Sequence, residues 1–215
     1  MVSIGSVADY QNDGCVITPN VLSAETLDLI SPIIRTHTRR LDPNTRPMSE
    51  RATYDRAFTQ VMNLWREDAV ISDFVFNSPL AEIAAKLMGV DAVRLYHDQA
   101  LFKEPGGGHT PWHCDQVYWP IDTSNTVTAW FPLQDTPMDM GPLSFARGSA
   151  DILDGRTHPI DETSDAIIGP MMQDCPYLSQ PFLLGDVSWH SGWTYHNASP
   201  NLTTRPRQAV TVIFI

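Results

Sequence analysis

Two spacings of apolar residues divide the chain. In the first third, Leu27, Ile30 and Ile34 recur at helical intervals behind Ser23, a residue suited to an N-cap. Pro32 falls inside that pattern and predicts a kink or an early end. A second helix is marked by Ser78 as N-cap, Pro79 at the first helical position and Gly89 as the stop. Between them Leu80, Ile83, Ala84 and Leu87 form one apolar stripe, and Glu82 and Lys86 an i,i+4 pair on another face. From residue 92 the pattern changes. AVRLYHDQALFK (92–103), TVTAWFPLQ (126–134) and AVTVIFI (209–215) are rich in β-branched and aromatic residues and read as strands. The punctuation is Gly and Pro: EPGGGHTP, MGPL, ARGS, LLGD, ASPN. Short strands without alternating helices predict a mainly β protein, a sandwich or jelly roll with the helices of the N-terminal third packed outside it.

Composition narrows the class. At 215 residues the chain is expected to form one domain, 1–215, large enough to bury a core without disulfides. No stretch approaches the ~18 consecutive apolar residues of a membrane helix, and MVSIGSVADYQNDG lacks the basic flank and apolar run of a signal peptide. A cytoplasmic protein with no membrane partner is the simple reading. Fourteen Lys and Arg against 25 Asp and Glu leave a net charge of −11, which repels a phosphate backbone and argues against nucleic acid as a partner. Cys15, Cys114 and Cys175 are far apart and form no CxxC, so neither a disulfide framework nor a structural zinc site is expected.

The chemistry concentrates in two stretches. In Pro111-Trp112-His113-Cys114-Asp115-Gln116, His113 and Asp115 are two apart, and in a strand they share a face. Alone, His-x-Asp is weak evidence; such a pair is more often a polar strand edge. The second stretch, residues 185–197, holds His190 and His196 and is followed by Arg205 and Arg207. One of these histidines on a facing strand would complete a set of two His and one carboxylate, the facial arrangement of non-haem Fe(II) oxygenases.

With these residues in view, the chain resembles the phytanoyl-CoA dioxygenase family. HCD at 113–115, TAWFPLQD at 128–135, GPLSFARGS at 141–149 and the GD…H…N…R run at 185–207 are similar to its ordered motifs. Tyr10-Gln11-Asn12-Asp13-Gly14 resembles the family's opening, and Asp98-Gln99 with Lys103-Glu104-Pro105 the strand before HxD, so the likeness spans nearly the whole chain. The resemblance implies a double-stranded β-helix (jelly roll) fold, Fe(II) as metal, and 2-oxoglutarate and O2 as cosubstrates. It makes His113, Asp115 and His196 the metal ligands and catalytic centre. In the family an arginine eleven positions after the distal histidine pairs with the far carboxylate of 2-oxoglutarate; counted from His196 this lands on Arg207, and from His190 on Asn201. A guanidinium suits that carboxylate because it offers two parallel hydrogen bonds. Arg205, on the same strand face by alternation, is the fallback. Gln99 and Trp130 are implied as further cosubstrate contacts, with core packing an equal reading for Trp130.

Two departures from the family pattern stand out. Ala198 occupies a position that often carries a hydroxyl, and Arg147-Gly148-Ser149-Ala150 replaces Pro-Gly-Ser-His, a change expected to alter at most the pocket rim. Because Asp115 retains the carboxylate that halogenating relatives lose, hydroxylation of a C–H bond is expected, with succinate and CO2 released; cyclisation, epimerisation or desaturation can follow the same hydrogen abstraction. Candidate substrate contacts are Asn63, Trp119 and His190, with Gln60, Trp65 and His97 beside them. For His190 the bland reading is a hydrogen-bonded histidine near the pocket mouth. The stretch from Arg46 to Arg56 is either a lid gripping an anionic substrate or a solvated loop. With little sequence before Asp13-Gly14 to dock a carrier, a small metabolite or natural-product intermediate is expected over an acyl-CoA thioester. Two rivals remain: a cupin-like hydrolase or isomerase using the same triad with zinc or manganese, and a non-catalytic jelly-roll binding protein.

Overall fold

A computed structural model of the protein describes residues 4–44 and 46–215. In chain order the elements are α1 (Ile4–Asp13), β1 (Cys15–Thr18), α2 (Ala24–Leu41), α3 (Thr53–Ala57), β2 (Thr59–Met62), α4 (Ala69–Asn77), α5 (Leu80–Met88), β3 (Leu95–Lys103), β4 (Thr110–His113), β5 (Val127–Pro132), β6 (Leu143–Ala146), α6 (Ser164–Ile168), β7 (Tyr177–Ser179), β8 (Val187–Ser191), β9 (His196–Ala198) and β10 (Arg207–Phe214), with short 3-10 turns between. The strands form two antiparallel sheets, β1-β8-β5-β10-β3-β2 and β4-β9-β6-β7. This is the expected jelly roll with helices outside. None of the described helices is long and apolar enough to cross a membrane.

Alternation along the six-stranded sheet decides what each face does. Ala100 and Phe102 on β3, Ala129 and Phe131 on β5, Val187 and Trp189 on β8, and Val210, Val212 and Phe214 on β10 face the helices. There they bury Leu27, Ile30 and Ile34 of α2 and the stripe Leu80, Ile83, Ala84 and Leu87 of α5. Fully burying one such aliphatic side chain contributes about 1.5–3 kcal/mol. The intervening residues of the same strands line a cavity between the sheets.

The helix signals hold with two corrections. Ser23 Oγ accepts the Thr26 N–H, and Gly89 stops α5 with a left-handed φ of 68°. Pro32 does not end α2, which runs on to Leu41, because one missing N–H is a local loss on a helix whose apolar face is buried. Ser78 does not cap α5: it closes α4, its N–H donating to the Phe74 carbonyl, and its hydroxyl has no hydrogen-bond partner. The four-residue strands β1 and β2 lie in the supposedly helical third, extending the large sheet at its two edges.

Candidate metal centre and its cavity

Strand pairing brings the two histidines together. His113 ends β4, His196 begins β9, and they are register partners, with ring centroids 4.1 Å apart. The expected continuous strand through Asp115 is corrected: β4 stops at His113 and Asp115 opens the 3-10 turn Asp115–Tyr118. Cys114 between them is extended (φ −121°, ψ 144°), so His113 and Asp115 still project to one side. Asp115 Oδ1 lies 3.8 Å from His113 Nε2 and 3.7 Å from His196 Nε2. One donor atom from each of the three lies within 4.8 Å of the others.

These separations are too long for hydrogen bonds and suit a shared ion. The outer shell fits the same role. His113 Nδ1 sits 2.8 Å from the Pro111 carbonyl, and His196 Nδ1 3.0 Å from the Thr194 carbonyl. A carbonyl only accepts, so each Nδ1 carries the proton and each Nε2 turns a lone pair towards Asp115. Burial depresses both imidazole pKa values, keeping the rings neutral as a ligand requires. Burial opposes ionisation of Asp115, but the charge that His196, His190 or His113 carries when protonated, with the hydrogen bond from His190, outweighs that and holds the carboxyl below the usual range.

The two oxygens of Asp115 divide their tasks. While Oδ1 faces the metal-competent histidines, Oδ2 accepts from His190 Nε2 at 3.3 Å and from the Thr128 hydroxyl at 3.4 Å. Thr128 and His190 are register partners on β5 and β8, so one rung of the large sheet anchors a carboxylate on the chain leading from the small one. His190 is buried, and its Nδ1 has no hydrogen-bond partner.

Another row of the sheet faces the same cavity. Gln99, Thr211 and Trp130 lie in register across β3, β10 and β5, and Arg207 stands four residues before Thr211 on the same face. Arg207 is buried; its NH1 donates to the Gly141 carbonyl at 2.7 Å, and its charge lies 5.6 Å from the centroid of Trp130. Arg207 Nε, Trp130 Nε1 and the Thr211 hydroxyl are all buried without a hydrogen-bond partner. Burial pushes the guanidinium pKa down to about 10, which leaves it charged at neutral pH. Opposite Arg207 in register is Lys103, also fully buried, its ammonium donating to the Gly108 and Ser199 carbonyls and the Thr110 hydroxyl. Burial and then the Arg207 charge push it down to about 6. Neither side chain has a carboxylate partner among the described residues.

The cavity holds about 320 Å3. One wall is a chain of neutral side-chain hydrogen bonds: Tyr54 OH donates to Gln60 Oε1 (2.8 Å), Gln60 Nε2 to Gln99 Oε1 (2.7 Å), and Gln99 Nε2 to His97 Nε2 (2.6 Å). Burial pushes the His97 pKa down to about 4, so that ring is neutral. Phe58, Tyr96, Tyr118 and Trp119 make an aromatic wall, with Tyr96 and Trp119 edge to face at 5.7 Å.

The expected site residues therefore separate. His113, Asp115, His196, Arg207, Gln99, Trp130, Trp119 and His190 share one cavity with Gln60 and His97. Asn63 does not line it; its backbone is left-handed (φ 60°), and its side-chain oxygen accepts from Trp65 Nε1. Arg205 is exposed in the turn before β10, where strand alternation does not reach, and so is no substitute for Arg207. None of Arg46, Arg51 and Arg56 lines the cavity; Arg51 is paired with Glu104 at 2.8 Å. Arg147 bonds Asp13 at the end of α1, away from the cavity lining. Tyr54, Thr211 and Lys103 were not legible as site residues. Only Thr211 left a signal, a polar residue inside the apolar run AVTVIFI.

A sequence model of the family described as phytanoyl-CoA dioxygenase (PhyH) matches residues 10–209. No curated protein sequence matches the chain. Among solved structures, similarity extends to the non-heme alpha ketoglutarate dependent carbocyclase SnoK from nogalamycin biosynthesis, at 24% identity and a TM-score of 0.83, covering 99% of this chain and 83% of that one. The epimerase SnoN in complex with Fe3+, alpha ketoglutarate and nogalamycin RO has 22% identity and a TM-score of 0.82, covering 98% and 82%. EctD from S. alaskensis with 2-oxoglutarate and 5-hydroxyectoine has 18% identity and a TM-score of 0.77, covering 99% and 76%. At these identities the likeness is one of fold.

Proposed function

The chain belongs to the phytanoyl-CoA dioxygenase family, and from that premise we propose that it is an Fe(II)- and 2-oxoglutarate-dependent oxygenase hydroxylating an unactivated C–H bond of a small metabolite or natural-product intermediate, with release of succinate and CO2. The observation that supports this most is the set of buried donors without partners, Arg207 Nε, Trp130 Nε1 and Thr211 Oγ1, in the same cavity as the His113, Asp115 and His196 donor atoms. Leaving a buried donor unpaired costs about 1–3 kcal/mol, and an anionic cosubstrate removes that cost at three atoms together.

In this reading His113, Asp115 and His196 hold the metal, and their donor set of two neutral imidazoles and one carboxylate matches ferrous iron with positions left open. Iron with 2-oxoglutarate supplies oxygen activation driven by oxidative decarboxylation. Arg207 binds the far carboxylate of 2-oxoglutarate and orients it, with Trp130 and Thr211 donating beside it and Gln99 lining the cosubstrate's flank. The Pro111 and Thr194 carbonyls keep the proton on Nδ1 of each ligand histidine, so neither ring competes for it during turnover. The aromatic wall excludes water from the reacting face. The neighbours holding iron and cosubstrate in the same fold support the assignment of both.

The test is an anaerobic titration of apoprotein with Fe(II) and 2-oxoglutarate, followed through the visible charge-transfer band of a chelated keto acid. A saturable band is expected, abolished by His113→Ala and needing at least tenfold more 2-oxoglutarate in Arg207→Ala. No band in metal-loaded wild type overturns the oxygenase reading in favour of a zinc or manganese hydrolase.

A further inference from the structure

Resting on that reading, we infer that the substrate is an uncharged, ring-bearing molecule, recognised by aromatic stacking and neutral hydrogen bonds without an ion pair. Among the described residues lining the cavity, Asp115 and Arg207 are the charged side chains, and both are committed, one to the metal and one to the cosubstrate. What remains for substrate is Gln60 and His97, the two neutral groups that Gln99 links by hydrogen bonds, and the aromatic wall with Trp119.

An anion finds no uncommitted cation there. The stretch from 46 to 58 holds three arginines yet presents Tyr54 and Phe58 to the cavity, while Arg51 is spent on Glu104. A cation would find no free carboxylate, since Asp115 Oδ2 is held by His190 and Thr128 and Oδ1 faces the ligand imidazoles. Flat rings fit what is left, because aromatic faces reward stacking beyond simple area burial. About 320 Å3 must also hold the cosubstrate, so only the reacting ring enters and the rest of a larger molecule lies at the mouth, where Tyr118 is 48% exposed.

The experiment uses Fe(II)- and 2-oxoglutarate-loaded protein under anaerobic conditions and four probes: 2-naphthalenemethanol, 2-naphthalenesulfonate, (2-naphthylmethyl)trimethylammonium and 1-octanol. Binding is measured by calorimetry and by the shift each probe causes in the charge-transfer band. The neutral naphthalene is expected to bind at least tenfold tighter than each of the others and to move the band. Trp119→Ala is expected to retain the band and weaken that probe at least tenfold. Gln60→Lys, on the edge strand β2, guards against misfolding of the first variant and should bring the sulfonate to within threefold of the neutral probe. A charged naphthalene or octanol binding as well as the alcohol, or indifference to both substitutions, overturns the inference while a normal band leaves the proposed function standing. Absence of the band before any probe is added overturns both.

Discussion

Asp115 shows how much of this centre depends on groups beyond the donor set. Its Oδ2 is held by His190 and Thr128, leaving Oδ1 towards the histidines. An ionised carboxylate only accepts, so His190 donates through Nε2 and acts as a positioning residue. His190→Ala should weaken metal binding by about 10- to 100-fold, read by competition with a chromophoric chelator. His190→Gln, which restores an N–H donor, should recover part of that loss; equal affinities for both variants and wild type would refute the role. The sequence offered His190 as a substrate contact or a hydrogen-bonded histidine near the pocket mouth but not its partner, because a hydrogen bond between residues 75 apart leaves no mark in spacing. His113 with Asp115 and His196 with Arg207 were legible because each set is local or bears a family interval. Lys103 was not, since a lysine at a strand end reads as solvated until tertiary packing buries it.

At the level of elements, alternation explains the division of labour better than composition does. The strands β3, β5 and β10 were readable from their β-branched runs, while β1 and β2 escaped because four residues beside helices carry too little period to register. Turns matter as much as strands. Gly141, with φ 72°, ends the 3-10 turn before β6, and a Cβ there would collide with the Ser199 carbonyl. Its own carbonyl accepts from Arg207 NH1. Gly141→Ala must therefore shift the turn that fixes the guanidinium. We expect at least a tenfold rise in the 2-oxoglutarate dissociation constant with metal affinity nearly unchanged, measured by titrating each in turn; parallel loss of both would indicate general disruption instead.

For the whole molecule, three buried neutral imidazoles pull against one buried carboxyl, Asp98, which burial pushes up to about 6. His97, His113 and His196 all have pKa values lowered by burial, His97 to about 4. Below about pH 6.5 the unfolded chain takes up protons that the native rings refuse, so their contribution to stability falls as pH falls, while that of Asp98 rises. For His97 the decline runs from about 6.5 to about 4 and amounts to roughly 3 kcal/mol. In urea unfolding of the metal-free protein between pH 7 and pH 4, wild type should lose this much more stability than His97→Gln; equal changes in the two would exclude His97 as a source.

The buried guanidinium of Arg207 has a practical consequence. It is buried, it lines the cavity, and no described carboxylate neutralises it. Such a place is a trap for any small oxyanion that fits, whether or not it can react. Citrate, phosphate and sulfate in a purification buffer should compete with 2-oxoglutarate and raise its apparent KM without changing kcat. An assay begun in such a buffer can make an active enzyme look inert.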